Sequence, residues 1–185
     1  MDGAAALSSP VHFAFDGWRA VQAGPGDIAR VQRFFEANPE YLALCEGRGP
    51  CDTEGREFVE ERPPAQWAVR EQLNLLLVGS GNEVDGVLAV AVDFLAPEVW
   101  HLGLMIIATR LHGSGLAQRT HAAYEQWARA RGARWLRLAV AAQNERALRF
   151  WQRQGYVELR RREQVEMGAL HNTVLVLCKP IEGTL

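Results

Sequence analysis

The chain has 185 residues, which suits a single domain with a short leader. Apolar residues make up 48% and charged residues 23%, which excludes general disorder, and 20 Lys plus Arg against 22 Asp plus Glu argues against a phosphate-neutralising nucleic-acid binder. No apolar run reaches the roughly 18 residues of a membrane span, so no membrane partner is expected.

Residues 1–12 read as a flexible leader and 13–185 as the folded domain. The opening MDGAAALSSP has neither a basic start nor a long apolar core, so it is not a secretory signal. Residues 18–21 form a short strand candidate, and Ala23-Gly24-Pro25-Gly26 breaks it. Asp27 then stands at the N-cap of a helix whose apolar face is Ile28, Val31, Phe34 and Phe35, ending near Asn38. The stretch 40–64 is irregular, rich in Gly, Pro and charge, and long enough to hold a short helix or two.

Residues 75–78 and 84–94 read as a hairpin about the turn 79–82, and Ala96-Pro97-Glu98 leads into a third strand over 99–107. Leu116, Thr120, Ala123, Tyr124 and Trp127 mark one face of a helix that stops at Gly132. A strand over 135–140 follows, then a helix carrying Ala147, Phe150 and Trp151 that ends at Gly155. Residues 156–160 and 173–177 complete the set. Strands that meander first and alternate with helices later predict an α+β, or mixed α/β, single domain. Trp127, Trp135 and Trp151 are expected in helix–sheet packing, His121 on the surface or in packing, and Arg160-Arg161-Arg162 on a solvated edge. Cys45, Cys51 and Cys178 lack metal-ligand spacing and suit reduced thiols in a cytoplasmic protein, with no metal cofactor.

The passage 103–118, GLMIIATRLHGSGLAQ, carries the chemistry. A buried strand enters a loop holding Gly113 and Gly115, and a helix starts at once. Such glycines let a backbone approach a ligand closely, and the helix start offers unpaired amides and a positive dipole end, which together suit a phosphate or pyrophosphate. A Walker loop is excluded because Gly115-Leu116-Ala117 lacks the Lys and the hydroxyl. A dinucleotide fingerprint is excluded because Gln118 occupies its third glycine position.

The run 112–156, HGSGLAQRTHAAYEQWARARGARWLRLAVAAQNERALRFWQRQGY, resembles the core of the GCN5-related N-acetyltransferase superfamily. The Gln/Arg-x-x-Gly-x-Gly/Ala loop of that superfamily maps onto His112, Gly115 and Ala117, and its later Asn-x-x-Ala signature onto Asn144, Ala147, Phe150, Trp151, Gly155 and Tyr156. A register starting at Arg110 shortens the strand-to-loop distance and is rejected. The resemblance implies a mixed twisted sheet of about six or seven strands, helices on both faces, and a splayed parallel strand pair that holds acetyl-CoA. It implies cofactor contacts from Met105, Ile106 and Ile107, from the amides of His112, Gly113, Ser114, Gly115, Leu116 and Ala117, from Trp151, and from Asn144, which also suits a plain N-cap.

It further implies acetyl transfer to a primary amine, on a small molecule or a peptide, by direct attack on the thioester, with a homodimer through the late strands compatible. Two positions depart from the pattern. His112 replaces Gln or Arg, and Trp151 stands where many members place a Tyr that reprotonates the leaving thiolate; an indole offers no such proton. Trp151 therefore keeps a second reading open, an acyl-CoA-binding sensor or regulatory module without turnover. His101 and Asp93 are the candidate bases, Glu98 a weaker one, and Tyr41 a candidate lining of the acceptor pocket.

Overall fold

Two segments, LNLLLV and VDGVLAVAV, are buried along nearly their whole length, and strands buried on both sides need a layer on each face. The computed structural model, which describes residues 9–81 and 83–181, has that layering. The strands are β1 (Val11–Phe15), β2 (Trp18–Gln22), β3 (Glu71–Val78), β4 (Val84–Val92), β5 (Val99–Ile107), β6 (Trp135–Ala141), β7 (Val157–Met167) and β8 (Leu170–Pro180). The helices are α1 (Ile28–Ala37), α2 (Glu40–Glu46), α3 (Glu54–Glu60), α4 (Leu116–Ala130) and α5 (Glu145–Arg153). One eight-stranded sheet runs β1-β2-β3-β4-β5-β6-β8-β7, antiparallel except for β5 and β6.

Each face of the sheet has its own core. Against α4 and α5 pack Leu75, Leu77, Leu88, Val90, Trp100, Leu102 and Leu136, with Leu116, Tyr124 and Trp151 from the helices. Against α1, α2 and α3 pack Leu76, Val78, Val87 and Ile106, with Phe34, Phe35, Leu42 and Phe58. Successive leucines of β3 thus enter opposite cores, as the twofold alternation of a strand requires. None of the described helices is long and apolar enough to cross a membrane.

The mixed fold agrees with the expectation, with differences at the ends. The sheet gains a strand, β1, which begins at Val11 and so takes in Val11 and His12 from the expected leader; residues 1–8, and Asn82 of the 79–82 turn, lie outside the described residues. The expected cap at Asp27 is replaced. Its carboxylate reaches back, accepting from the Gly24 amide at 2.8 Å and pairing with Arg30 at 2.9 Å, and so closes a 3-10 turn ahead of α1. Trp135 is exposed at the start of β6, whereas His121 is buried and bonds Tyr156 Oη at 3.0 Å.

The irregular stretch 40–64 holds the two short helices α2 and α3. At seven residues each, neither is stable alone, and tertiary contacts set them in place. At Gly55, α3 crosses α1 so closely that a Cβ would stand 2.4 Å from Ile28 O and 2.6 Å from Gln32 N, while the Gly55 amide donates to Gln32 Oε1 at 2.8 Å. Gly55→Ala is therefore expected to destabilise the fold by about 1–3 kcal/mol through forced backbone displacement. Urea unfolding checks this, and an unchanged midpoint would contradict so tight a crossing.

Candidate active site

The parallel pair is short. Val99, Trp100, His101 and Leu102 match Trp135, Leu136, Arg137 and Leu138, and there the pairing stops. Each strand keeps its outer partner past that point: β5 stays on β4 to Ile107, and β6 stays on β8 to Ala141. The two strands therefore part, and the inner edge of β5 from Gly103 onward is left without a strand partner. Register shifts by one residue at Gly103, since Leu102 pairs with Val90 and Leu104 with Ala89. Such a bulge changes which face the following side chains take.

Two hollows meet at this parting. One is a groove of about 520 Å³ between β5, the start of α4 and α5, lined by Met105, Ile106 and Ile107 from the strand. His112, Gly113, Gly115, Leu116 and Ala117 line it from the loop, and Asn144 and Trp151 from α5 and its cap. The expected cofactor residues thus come together around one groove, save Ser114. Ser114 instead shapes the loop, with Oγ donating to Leu111 O at 2.7 Å and accepting from the Leu116 amide at 3.2 Å.

Gly113 and Gly115 take φ of +82° and +79°, which turn the loop into the helix without a side-chain clash. The His112 and Ser114 amides close back on Thr109 O and Leu111 O, while those of Gly113, Gly115 and Ala117 carry no backbone bond. These, with the dipole of the 15-residue α4, form a seat suited to an anion. The His112 imidazole turns inward: Nε2 lies 3.0 Å from Ile107 O and Nδ1 3.2 Å from Arg146 Nη1. A guanidinium only donates, so Nδ1 accepts and Nε2–H donates, and His112 steadies Arg146 at the groove. Asn144 combines its two expected places, lining the groove while Oδ1 accepts from the Ala147 amide at 3.1 Å.

The second hollow, about 480 Å³, lies on the α1–α3 side of β4 and β5. Its floor is Ala89, Ala91, Gly103 and Leu104, and its walls include Phe35, Phe58, Trp67 and Phe94. Tyr41 lines both hollows and so stands at their junction. Its hydroxyl has no hydrogen-bond partner among the described residues. Desolvation, then the neighbouring Cys45, Glu46 and Glu61, push its pKa well above the usual phenol value, so it stays protonated.

The candidate bases are differently placed. His101 lines the second hollow, stacked on Phe94 at 4.6 Å. Burial and then the Arg137 charge pull its pKa down to about 3. Nδ1 faces both the Arg137 carbonyl oxygen at 3.2 Å and Arg137 Nη1 at 3.0 Å, so Arg137 engages it in either tautomer. The ring is neutral and a poor base. Asp93 lines neither hollow; its carboxylate accepts from the Glu98 amide at 2.9 Å and pairs with Arg70 at 2.8 Å, fastening the turn before β5. Glu98 lies in that exposed turn beside Arg134.

Carboxylates that sequence reasoning passed over face the hollow: Glu46, Glu54, Glu57 and Glu61, with Arg48 the cation among its lining. Burial raises the pKa of Glu46 despite its 2.7 Å pair with Arg48. Glu61 reaches solvent at the mouth, yet the hollow withdraws enough water to raise its pKa too, and among the described residues no cation is held against it. Their signal in the sequence is the spacing 54, 57 and 61, one stripe of a helix.

Residues 41–156 match the model of the Acetyltransferase (GNAT) family, spanning the hollows' junction, the anion seat and α5. The chain belongs to that family. It is an N-acetyltransferase by that membership. No curated protein sequence matches it. Solved structures share its fold. An acetyltransferase from Thermus thermophilus is 22% identical, with TM-score 0.68 over 89% of this chain and 97% of that one. The ribosomal-protein-S5-alanine acetyltransferase of Vibrio fischeri is 13% identical, with TM-score 0.71 over 91% and 95%. The spermidine N-acetyltransferase of Vibrio cholerae, solved with CoA and spermine, is 13% identical, with TM-score 0.69 over 90% and 96%.

Two buried histidines give this acetyltransferase a pH signature. The folded-state pKa values, about 3 for His101 and about 4 for His121, lie below the ordinary 6.5. As pH falls through 6.5 the unfolded chain binds protons that the folded chain refuses, so stability drops by about 1.4 kcal/mol per pH unit for each histidine until its folded pKa is reached. The melting temperature is expected to fall between pH 6.5 and 4, less steeply in His121→Gln. Equal slopes for the two proteins would contradict the buried neutral assignment.

Proposed function

We propose that the protein transfers an acetyl group from acetyl-CoA directly to a primary amine, with Tyr41 at the junction of the two hollows as the observation that carries the reading. The donor groove suits its substrate. Amides of Gly113, Gly115 and Ala117, with Arg146 and Arg153 along the lining, fit a diphosphate, and the unpaired edge of β5 fits an amide-bearing arm. Acetyl-CoA supplies the acetyl group as an activated thioester, and the residues of the chain supply position and protons.

The amine enters from the acceptor-side hollow as an ammonium and must lose a proton before it can attack. Glu61 takes that proton: its carboxylate lines the hollow, has a raised pKa and holds no cation. As the C–S bond breaks, Tyr41 gives its hydroxyl proton to the departing sulfur and regains one from the second N–H of the attacking nitrogen, in place of the acid that the indole of Trp151 does not offer. Trp151 packs edge-on to His121 at 5.4 Å and to Tyr156 at 5.5 Å, which fits it for walling the groove. His101 stays neutral beside Gly103 and forms part of the wall along which the amine passes. There is no covalent acetyl-enzyme. Cys45 is buried, with a thiol pKa raised by desolvation, Cys51 lines neither hollow and donates its thiol to Glu54 at 3.2 Å, and Cys178 lies on β8 away from both hollows.

Three measurements test the assignment. Tyr41→Phe is expected to lower kcat by about 10- to 100-fold, with CoA binding by calorimetry unchanged. In the wild type, kcat/KM for the amine rises with pH through the raised pKa of Glu61, and Glu61→Gln loses that limb. Gly115→Val, forcing a β-branched residue to φ +79°, abolishes CoA binding while a folded spectrum is retained. CoA binding without release of free thiol from acetyl-CoA across an amine panel would instead favour the sensor reading.

A further inference from the structure

Of the side chains lining the acceptor-side hollow, four are carboxylates, Glu46, Glu54, Glu57 and Glu61, against the single guanidinium of Arg48. His101 does not alter this balance, since it is neutral. Arg48 is already divided between two of the acids, at 2.7 Å from Glu46 and 2.8 Å from Glu54. Glu57 accepts from Thr53 Oγ1 at 2.6 Å and Glu61 faces no cation, so the excess negative charge rests chiefly on these two. Crowding like charges in a partly dry hollow is unfavourable unless a cation arrives to match them.

The aromatic walls point to the same partner. Trp67 meets Phe94 edge-on at 5.3 Å, and Phe35 meets Phe58 at 5.9 Å, so the hollow that holds the acids is walled by aromatic rings. Phe94 already stacks on His101 and carries Arg137, so the exposed ring of Trp67 is the one open to a cation, and the other rings serve to bury the methylenes of an alkylammonium. The Tyr41 hydroxyl, deeply set and without a protein partner, adds a polar atom at the inner end where a nitrogen would react.

Spacing sets the length of the ligand. Glu57 and Glu61 stand four residues apart along α3 and its cap, which puts their Cβ atoms about 6 Å from each other. We infer that the acceptor is an alkane diamine or a similar dication. One nitrogen reaches Tyr41 and Glu61 to be acetylated, and a second ammonium, some four to six methylenes away, rests against Glu57. This deepens the proposed function and rests on it, since the reacting nitrogen is placed by that reading.

The test uses three acceptors with one spacer and different ends: 1,5-diaminopentane, pentylamine and 5-aminopentanoate. With acetyl-CoA as donor and free thiol as readout, kcat/KM at low salt is expected to be about tenfold higher for the diamine than for pentylamine, and lowest for 5-aminopentanoate. The preference shrinks in high salt. Glu57→Gln narrows the diamine-to-monoamine ratio, and Glu57→Lys moves 5-aminopentanoate ahead of the diamine. Calorimetry of the three compounds on the CoA-loaded protein gives a readout that needs no turnover. Selective diamine binding without thiol release would uphold the charge-matching pocket and overturn the transferase mechanism. Turnover with pentylamine at least as good as the diamine, or an order unmoved by Glu57→Lys, would overturn the dication and leave the transferase standing. Neither turnover nor selective binding would overturn both.

Discussion

The site exists because two parallel strands stop pairing halfway. After Leu102 and Leu138 the strands β5 and β6 separate, yet each remains held on its other side, so the opening is rigid and not a frayed edge. Backbone groups exposed along the inner edge of β5 have no strand partner, and buried groups of that kind require one. A ligand arm that carries amides can supply it. The bulge at Gly103 falls at the point of separation and directs Leu104 to the acceptor side and Met105 to the groove side. One strand thereby serves as a wall for both substrates.

Much of this frame is legible in the sequence, for identifiable reasons. The bounds of β5 read directly as 99–107, and α4 and α5 read from helical spacing closed by Gly132 and Gly155. The anion seat is legible because positive φ at consecutive turns demands glycine. β1 is not, because a five-residue strand next to small polar residues resembles a leader, although Asp16-Gly17 is a hairpin signal. The helices α2 and α3 are equally obscure. At two turns each they show too little apolar period, and what fixes them is remote: the Gly55 crossing, and bonds from residues over a hundred positions away.

The reactive side chains are the least legible, since their chemistry depends on partners that the chain brings from afar. Strand parity can place His101 beside a cleft, but it shows neither the burial nor the charge of Arg137, 36 residues on, that together keep the imidazole from taking a proton. Asp93 reads as a strand-end acid, yet it fastens a turn through Arg70 and the Glu98 amide. The acids of α3 resemble an ordinary solvated face, because sequence spacing gives the stripe but not the hollow that it confronts.

The helix α2 joins the two halves of the site. At its start, Asn38 Oδ1 accepts from the Thr109 amide at 2.6 Å and Glu40 accepts from Thr109 Oγ1 at 2.9 Å, which ties it to the entry of the phosphate loop. At its end, Glu46 O accepts from the Ala169 amide and Cys45 O from Asn172 Nδ2, both at 2.8 Å, which ties it to the β7–β8 turn. Tyr41, in the first turn, is thus fixed relative to the glycine loop, while Glu46, in the last, is fixed relative to the second hollow. The two linings differ in charge, with Arg146 and Arg153 against Glu40 on one side of this helix and four carboxylates against Arg48 on the other. Under the proposed function, an anionic donor and a cationic acceptor are each repelled from the wrong hollow, and the neutral hydroxyl of Tyr41 lies between the two.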